Sequence, residues 1–293
     1  MTAIHPSRVN SPPRRRRRRR YTARTITSIV AVALGLIWAF PLYWMINTAL
    51  TARDQLRSSP PTLFPLTPTF DSFAKVLADP RFWSSMAMSM QVTLIAVVVS
   101  LLAATLAAVT LSRYRFRGRT SIIVAVLVVQ MIPAEALFIS QFRMLGALDL
   151  LNTVGGLSLL YVGSVLPFTV WMLKGFVDGV PIELEEAAMV DGCSKVGAFF
   201  RVTFPLLGPG LVATGIFGFL ASWNEFTLAL VVLSSGTSVT LPVWLAGFQT
   251  SLRGTDWGGV MAGSTLIAVP VIVLFIFVQS RMSTGMTVGA VKG

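Results

Sequence analysis

The sequence has very few of the residues on which soluble enzymes, metal proteins and secreted disulfide domains depend. Its 293 residues include one cysteine, Cys193, so no disulfide can form within the chain. The single histidine is His5, near the amino terminus, which argues against a Cys/His metal site. Charged residues make up 12% of the chain, against about 25% in ordinary soluble domains. These shortages exclude a soluble globular protein, and we expect no metal and no cofactor in this chain.

Hydrophobic residues, by contrast, are abundant. They make up 54% of the chain, and the mean hydropathy is +0.73. A membrane-spanning helix needs about 20 apolar residues. Residues 234–256 are too interrupted for this, because their apolar core contains Pro242 and Gly247, and we interpret them as a loop with an interfacial segment. The sequence predicts an all-α integral membrane protein with six transmembrane helices, at residues 25–48, 86–111, 119–141, 156–176, 207–232 and 261–280.

The distribution of Lys and Arg predicts that both termini are cytoplasmic. With that orientation 18 basic residues lie inside and 6 outside, as the positive-inside rule requires. Seven of the 18 form the run Arg14–Arg20. This run is typical of nucleic-acid binding or of contact with anionic lipid. We interpret it as a disordered topology anchor and expect no nucleic-acid partner, because no basic domain accompanies it. A signal peptide is the other alternative, although the apolar stretch after the run is long for one.

Residues 178–209, between the fourth and fifth predicted spans, carry too many charges to cross lipid. Pro181 suits a first helical turn, and Glu183 lies where the helix dipole favours negative charge. Gly192 is placed to end that helix. Ser194 can cap a second helix, which Pro205 should interrupt. The pattern predicts a short helix, a turn and another short helix.

One face of the first short helix has small side chains. Leu184, Ala187, Ala188 and Asp191 follow the i, i+3, i+4, i+7 spacing. Alanines on that face let another protein approach the backbone closely. From composition alone, an ordinary polar loop on the lipid headgroups is an equally good interpretation.

The order of residues in this loop resembles a known family. The run from Glu186 to Pro209, EAAMVDGCSKVGAFFRVTFPLLGP, closely resembles the EAA loop of ABC importer permeases. Cys193 stands where the family usually has alanine and Phe204 where it usually has leucine. Four other segments resemble the maltose-type sugar branch of that family, namely Phe64 to Phe70 with the following residues, Arg113 to Arg119, Ser222 to Phe226, and Gly285 to Gly293.

The resemblance implies an ABC importer permease fold in the inner membrane of a prokaryote. It implies that the EAA loop is a cytoplasmic coupling helix that docks on an ATPase, through Glu186, Ala187, Ala188, Asp191 and Gly192. The implied partners are a second permease subunit, two cytosolic ATPases that bind ATP-Mg, an extracellular solute-binding protein, membrane lipid and a sugar. We therefore expect a basic tail at 1–24, a permease domain at 25–282 and a cytoplasmic tail at 283–293.

Polar residues inside the predicted spans are candidates for the substrate pathway. Trp223, Asn224 and Glu225 lie in the fifth span, where an amide and a carboxylate can bind sugar hydroxyls and an indole can stack on a sugar ring. Bonds to neighbouring helices are an equally good interpretation of all three. Glu135 in the third span is a weaker candidate of the same kind.

Two other functions compete with a sugar ABC permease. The chain has no G-x-x-x-x-G-K-[ST] motif, so its energy comes from a partner or from an ion gradient. An ion-coupled secondary transporter would use Glu135 and Glu225 as proton sites. An intramembrane enzyme is the weakest candidate, because no span holds a nucleophile beside a base. We expect a chain without catalytic residues, and its sequence does not identify the sugar.

Overall fold

A computed structural model describes residues 14–56, 63–65, 67–234, 239–250 and 254–289. These residues are mostly helical, with one two-residue antiparallel hairpin formed by β1 (Gln249–Thr250) and β2 (Gly254–Thr255). A 3₁₀ turn (Ala134–Leu137) and a π-helical turn (Phe199–Thr203) interrupt the α-helices. The helices are α1 Arg14–Leu50, α2 Asp71–Leu77, α3 Pro80–Arg113, α4 Arg119–Val129, α5 Phe138–Ala147, α6 Val154–Asp178, α7 Ile182–Val190, α8 Lys195–Ala198, α9 Phe204–Leu206, α10 Gly208–Trp223, α11 Thr227–Val232, α12 Leu241–Ala246 and α13 Trp257–Gly289.

Four helical stretches in the described residues are long and apolar enough to cross a membrane. They are Ile26–Leu50, Pro80–Arg113, Val154–Asp178 and Trp257–Gln279. Each overlaps one of the predicted spans, namely the first, second, fourth and sixth. A fifth candidate is the bent pair Lys195–Leu206 and Gly208–Trp223, whose two parts meet at 66°. The chain is therefore a helical, multi-pass membrane protein.

The third predicted span, at 119–141, is wrong as a continuous helix. α4 ends at Val129, and α5 begins only at Phe138. Pro133 lies between them with φ −58° and ψ 125°, outside the helical region. Proline has no backbone N–H and disfavours helical conformation in the residue before it, which explains the break at this point.

The fifth predicted span, at 207–232, is also broken. α10 ends at Trp223 and α11 begins at Thr227. The two helices are separated by residues 224–226, where the N–H of Asn224 donates to the carbonyl of Leu220 and the N–H of Glu225 donates to the carbonyl of Ser222. The described residues of the predicted loop at 234–256 contain the short helix α12 and the two strands β1 and β2.

The two outermost helices extend beyond their predicted boundaries. α1 begins at Arg14, whereas the sequence predicted a disordered tail up to residue 24. Arginine is a good helix former, and a long helix already nucleated by its apolar part extends easily into such a run. α13 likewise continues to Gly289, past the predicted end of the permease domain at residue 282. Residues 1–13 and 290–293 of the predicted tails lie outside the described residues.

α3 and α6 form the centre of the bundle. Small side chains on α3 allow the backbones to approach closely, as is common between membrane helices. α6 contributes the larger apolar side chains Leu157, Leu160 and Leu173 to the shared core. The small buried residues of α3 are Ser85, Ser89, Ala96, Ser100, Ala104 and Ala108.

The two ends of α3 lie in different clusters. At 34 residues this helix is about 50 Å long. Around its last turn Leu111 packs with Val177, Val180 and Leu207, beside α7, and we call this the α7 end. Around its first turn the buried cluster contains residues of α1, α12 and α13, and we call this the α12 end. That cluster includes Ala49, Phe82, Leu241, Trp244 and Ala262.

Candidate functional site

The short helix α7 ends in a turn that requires glycine. Gly192 has φ +91°, a conformation that residues with a side chain rarely adopt. Its N–H donates to the carbonyl of Met189 at 3.0 Å, and the N–H of Cys193 donates to the carbonyl of Ala188 at 3.0 Å. This pair of bonds is the Schellman motif, which satisfies carbonyls at the end of a helix. The sequence prediction of a glycine-ended helix is confirmed.

A second helical segment follows the turn at once. The hydroxyl Oγ of Ser194 accepts a hydrogen bond from the N–H of Gly197 at 3.1 Å, so Ser194 caps α8 as predicted. The prediction that Pro205 interrupts this segment is wrong by two residues. The π-helical turn before Pro205 widens the chain path, and helical structure continues to Leu206. The break comes at Leu207, where the 66° bend lies.

The five residues predicted for ATPase coupling lie together on α7 and its turn. Glu186, Ala187, Asp191 and Gly192 are exposed, and Ala188 is half-buried. Within the described residues neither Glu186 nor Asp191 forms a side-chain hydrogen bond or an ion pair, so both carboxylates are available to a partner.

Large apolar side chains lie exposed beside these five residues. Val190 is 87% exposed and Val196 is 66% exposed, and Phe200 is also exposed. Burial of such side chains against a partner is favourable by about 25 cal/mol per Å². The segment thus presents free carboxylates, small residues and exposed apolar side chains to a partner.

Sequence reasoning missed the contacts that hold α7 in place. The Nε of Arg113, at the end of α3, lies 2.7 Å from Oε1 of Glu185. The hydroxyl of Thr203 donates to the same oxygen at 2.6 Å. Arg113 also donates through Nη2 to the carbonyl of Val180 at 2.9 Å. Glu185 precedes the EAA run by one residue, and no local pattern distinguishes it from Glu183 or Glu186.

The second group of predicted residues lies at the break between α10 and α11. The carboxylate of Glu225 accepts hydrogen bonds from the N–H groups of Leu228 at 2.7 Å and Ala229 at 3.1 Å. The hydroxyl of Tyr161, on α6, donates to Oε2 of Glu225 at 2.8 Å. A carboxylate at a helix start is stabilised by the exposed N–H groups and the helix dipole. Glu225 therefore caps α11 and ties the break to α6.

The two neighbours of Glu225 differ in exposure. Trp223 is 1% exposed and its ring stacks on Phe219, with centroids 5.3 Å apart, so its ring face is already covered. Asn224 is exposed, and its amide donates to the carbonyl of Leu220 at 2.9 Å. Glu135 lies exposed in the 3₁₀ turn that precedes α5.

At the α12 end an open cleft of about 790 Å³ is lined by charged and aromatic residues, including Trp244 and Trp257. Asp256 in this cleft forms ion pairs with Lys75 and Arg53. Burial raises the pKa of Asp256, but the hydrogen bonds from Lys75 and the backbone N–H of Gly259, with the positive charges of Lys75 and Arg53, hold it below 3.8. The cleft thus carries a carboxylate that joins α2 and the start of α13 to Arg53, in the segment after α1.

Several known proteins are similar to this chain in sequence. The family model "Binding-protein-dependent transport system inner membrane component" matches residues 96–288. The diacetylchitobiose uptake system permease protein DasC of Streptomyces coelicolor is 43% identical over 92% of this chain and 98% of its own length. The arabinooligosaccharides transport system permease protein AraQ of Halalkalibacterium halodurans is 36% identical, with 89% and 93% covered.

A solved structure agrees with the fold. A crystal structure of a bacterial ABC transporter for import of the polysaccharide alginate matches with a TM-score of 0.74 and 24% identity. The match covers 88% of this chain and 97% of that one. These comparisons confirm the predicted resemblance to carbohydrate-branch ABC importer permeases, which are transport components and not enzymes. The chain belongs to the family of binding-protein-dependent transport system inner membrane components.

Proposed function

We propose that this chain forms half of the translocation pathway for a sugar or oligosaccharide in an ABC importer. The observation that carries the proposal is its 43% identity to a diacetylchitobiose permease along almost the whole chain. The arabinooligosaccharide relative supports the same substrate class with a different sugar. A match that covers 92% of this chain and 98% of that permease supports a shared architecture.

The proposed assembly has a second, different permease subunit, two cytosolic ATPases that bind ATP-Mg and an extracellular solute-binding protein. The family description supports the last of these, since its members depend on a binding protein. We propose six spans, with the two broken helical regions as the third and fifth, and both termini in the cytoplasm. In this arrangement the permease domain covers 25–282, and the segments at 1–24 and 283–293 flank it.

The α7 end is the proposed docking site for one ATPase. The ATPase would contact five residues directly, namely Glu186, Ala187, Ala188, Asp191 and Gly192. Their exposure and the two free carboxylates support this role. Nucleotide binding would close the ATPase dimer and move α7, and the bundle would change between two access states.

The α10–α11 break is the proposed part of the pathway in this subunit, at Trp223, Asn224 and Glu225. The exposed amide of Asn224 is the group most available to a sugar hydroxyl. Glu225 and Trp223 would act by shaping the break, since the carboxylate caps α11 and the indole is buried.

Co-purification from the native membrane tests the coupling proposal. Glu186→Ala should reduce the ATPase recovered with the permease, because it removes an exposed docking carboxylate. Glu183→Gln is the matched control, as Glu183 is an exposed acid on the same helix outside the five docking residues. Normal ATPase recovery with Glu186→Ala and with Gly192→Ala would contradict the docking assignment. Uptake that collapses with the proton gradient at constant ATP would instead support the ion-coupled alternative.

Uptake by the reconstituted complex tests the pathway proposal, with diacetylchitobiose and an arabinooligosaccharide as probes. Asn224→Ala should raise the KM for uptake, because an exposed hydrogen-bonding group is lost. Glu225→Gln should lower the maximal rate, because a neutral amide caps α11 less well. Wild-type uptake by both variants would remove these residues from the pathway.

A further inference from the structure

One carboxylate of α7, that of Glu185, receives hydrogen bonds from two other elements of the bundle. Oε1 of Glu185 lies 2.7 Å from Nε of Arg113 and 2.6 Å from the hydroxyl of Thr203. The same guanidinium donates from Nη2 to the carbonyl of Val180, just before α7, at 2.9 Å. We call Arg113, Glu185 and Thr203 the Glu185 brace.

The burial of the brace distinguishes it from the other ion pairs of the described residues. The side chains of Arg113 and Glu185 are 12% and 15% exposed. Each of the other pairs has one member that is exposed: Arg53 at 67% and Lys75 at 50% in the pairs with Asp256, and Asp178 at 44% in the pair with Lys174. An exposed pair contributes little to rigidity because water replaces it easily. A buried pair holds one geometry, because removing either partner leaves an uncompensated charge.

The three residues of the brace belong to three different parts of the bundle. Arg113 is the last residue of α3, the central helix. Glu185 is in α7, and Thr203 is fully buried in the π-helical turn that leads to the bend before α10. The brace thus joins α7 both to the helix at the centre of the bundle and to the segment that enters the broken fifth span.

Glu185 and the proposed docking residue Glu186 point in different directions. Successive residues of an α-helix are about 100° apart around its axis. Glu185 is turned inward with its carboxylate largely buried, while Glu186 is exposed and unpaired in the described part of the chain. A partner can therefore bind one side of α7 without competing for the brace on the other.

We propose that Glu185 is a positioning residue that makes α7 move as one body with the end of α3 and with the π-helical turn. This rests on the proposed docking of an ATPase at α7. Displacement of α7 then reaches α3 and the broken span directly. Without the brace, the same displacement is absorbed by the chain at residues 179–181 and 191–194, which join α7 to its neighbours.

The test compares coupling with assembly in the reconstituted complex. Glu185→Gln should leave the recovery of the ATPase unchanged, because the docking face is intact. The sugar molecules imported per ATP hydrolysed should fall about fivefold, the low end of the range for coupling between sites in one protein. Arg113→Gln should produce a similar fall, and the double variant should be no worse than either single one. Glu183→Gln is again the matched control and should import as many molecules per ATP as the wild type.

The readouts separate this proposal from a structural effect and from the docking proposal. An unchanged ratio of transport to hydrolysis in Glu185→Gln would overturn the brace. A loss of ATPase recovery in that variant would also overturn it, because Glu185 would then be a docking residue. If Glu185→Gln fails to accumulate, Thr203→Val takes its place, as it removes one hydrogen bond and keeps the ion pair. Failure of docking itself is detected separately, by ATPase recovery with Glu186→Ala.

Discussion

The turn at Gly192 gives the sharpest prediction for the proposed docking segment. Gly192→Ala places a side chain at φ +91°, a conformation that costs an L-residue about 1–2 kcal/mol. No atom lies within 4 Å of the added Cβ, so the cost comes from backbone conformation and not from a clash. We expect the turn to relax and to move Asp191 and Cys193, which flank Gly192.

The same cost sets the expected loss of affinity. If docking requires the native turn, a penalty of about 1–2 kcal/mol reduces the competent population about 5- to 30-fold. The dissociation constant for the ATPase should rise by the same factor. Titration of the purified ATPase onto the permease in lipid nanodiscs, with fluorescence anisotropy, measures this constant directly.

Two variants serve as controls for the turn. Gly192→Asn should lose less affinity, because asparagine tolerates the left-handed region better than alanine. Gly175→Ala, in the open part of α6, should bind the ATPase normally, since its added Cβ meets no atom within 4 Å. Wild-type affinity in Gly192→Ala would refute the reasoning, and so would equal losses in the alanine and asparagine variants.

Two further predictions concern packing and pH. Gly210→Ala should destabilise the purified protein by about 1–3 kcal/mol, because the new Cβ would lie 2.5 Å from the ring of Phe176. Thermal unfolding in detergent measures this loss, with Gly175→Ala as the control variant. Equal stability of the two variants would contradict the prediction. Because the pKa of Asp256 is held below its ordinary value of 3.8, its ion pair with Lys75 stabilises the fold above about pH 4, and this stabilisation is lost as the pH falls through the lowered pKa. Asp256→Asn should remove this acid-dependent loss of stability. Unfolding curves of Asp256→Asn that match those of the wild type from pH 3 to 7 would contradict the prediction.

Local chain chemistry made much of the α7 end predictable. The stop at Gly192 and the cap at Ser194 depend on residues within a few positions of each other, and both occur as expected. The long apolar helices also follow from composition, because length and hydropathy are properties of one segment. The helix breaks at Pro133 and Asn224 were harder to predict from the sequence, since a membrane span often tolerates a proline or a polar residue without ending.

Contacts between residues far apart in the sequence could not be predicted from local sequence patterns. Glu185 and Arg113 are separated by 72 positions, and Tyr161 and Glu225 by 64. Nothing in the single sequence indicates which of the acids 183, 185 and 186 turns toward the bundle. That choice depends on how α7 is oriented against α3, which the packing of the whole bundle decides.

The capping of α11 bears on how charge is handled in the interior of this protein. A carboxylate that already neutralises the start of a helix has its lone pairs committed to backbone N–H groups and a phenol. Without these acceptors the N–H groups of Leu228 and Ala229 would lack partners, and the helix start would loosen. The acidic side chain at this interior position is therefore matched by the protein's own donors, and its oxygens are occupied before any transported molecule arrives.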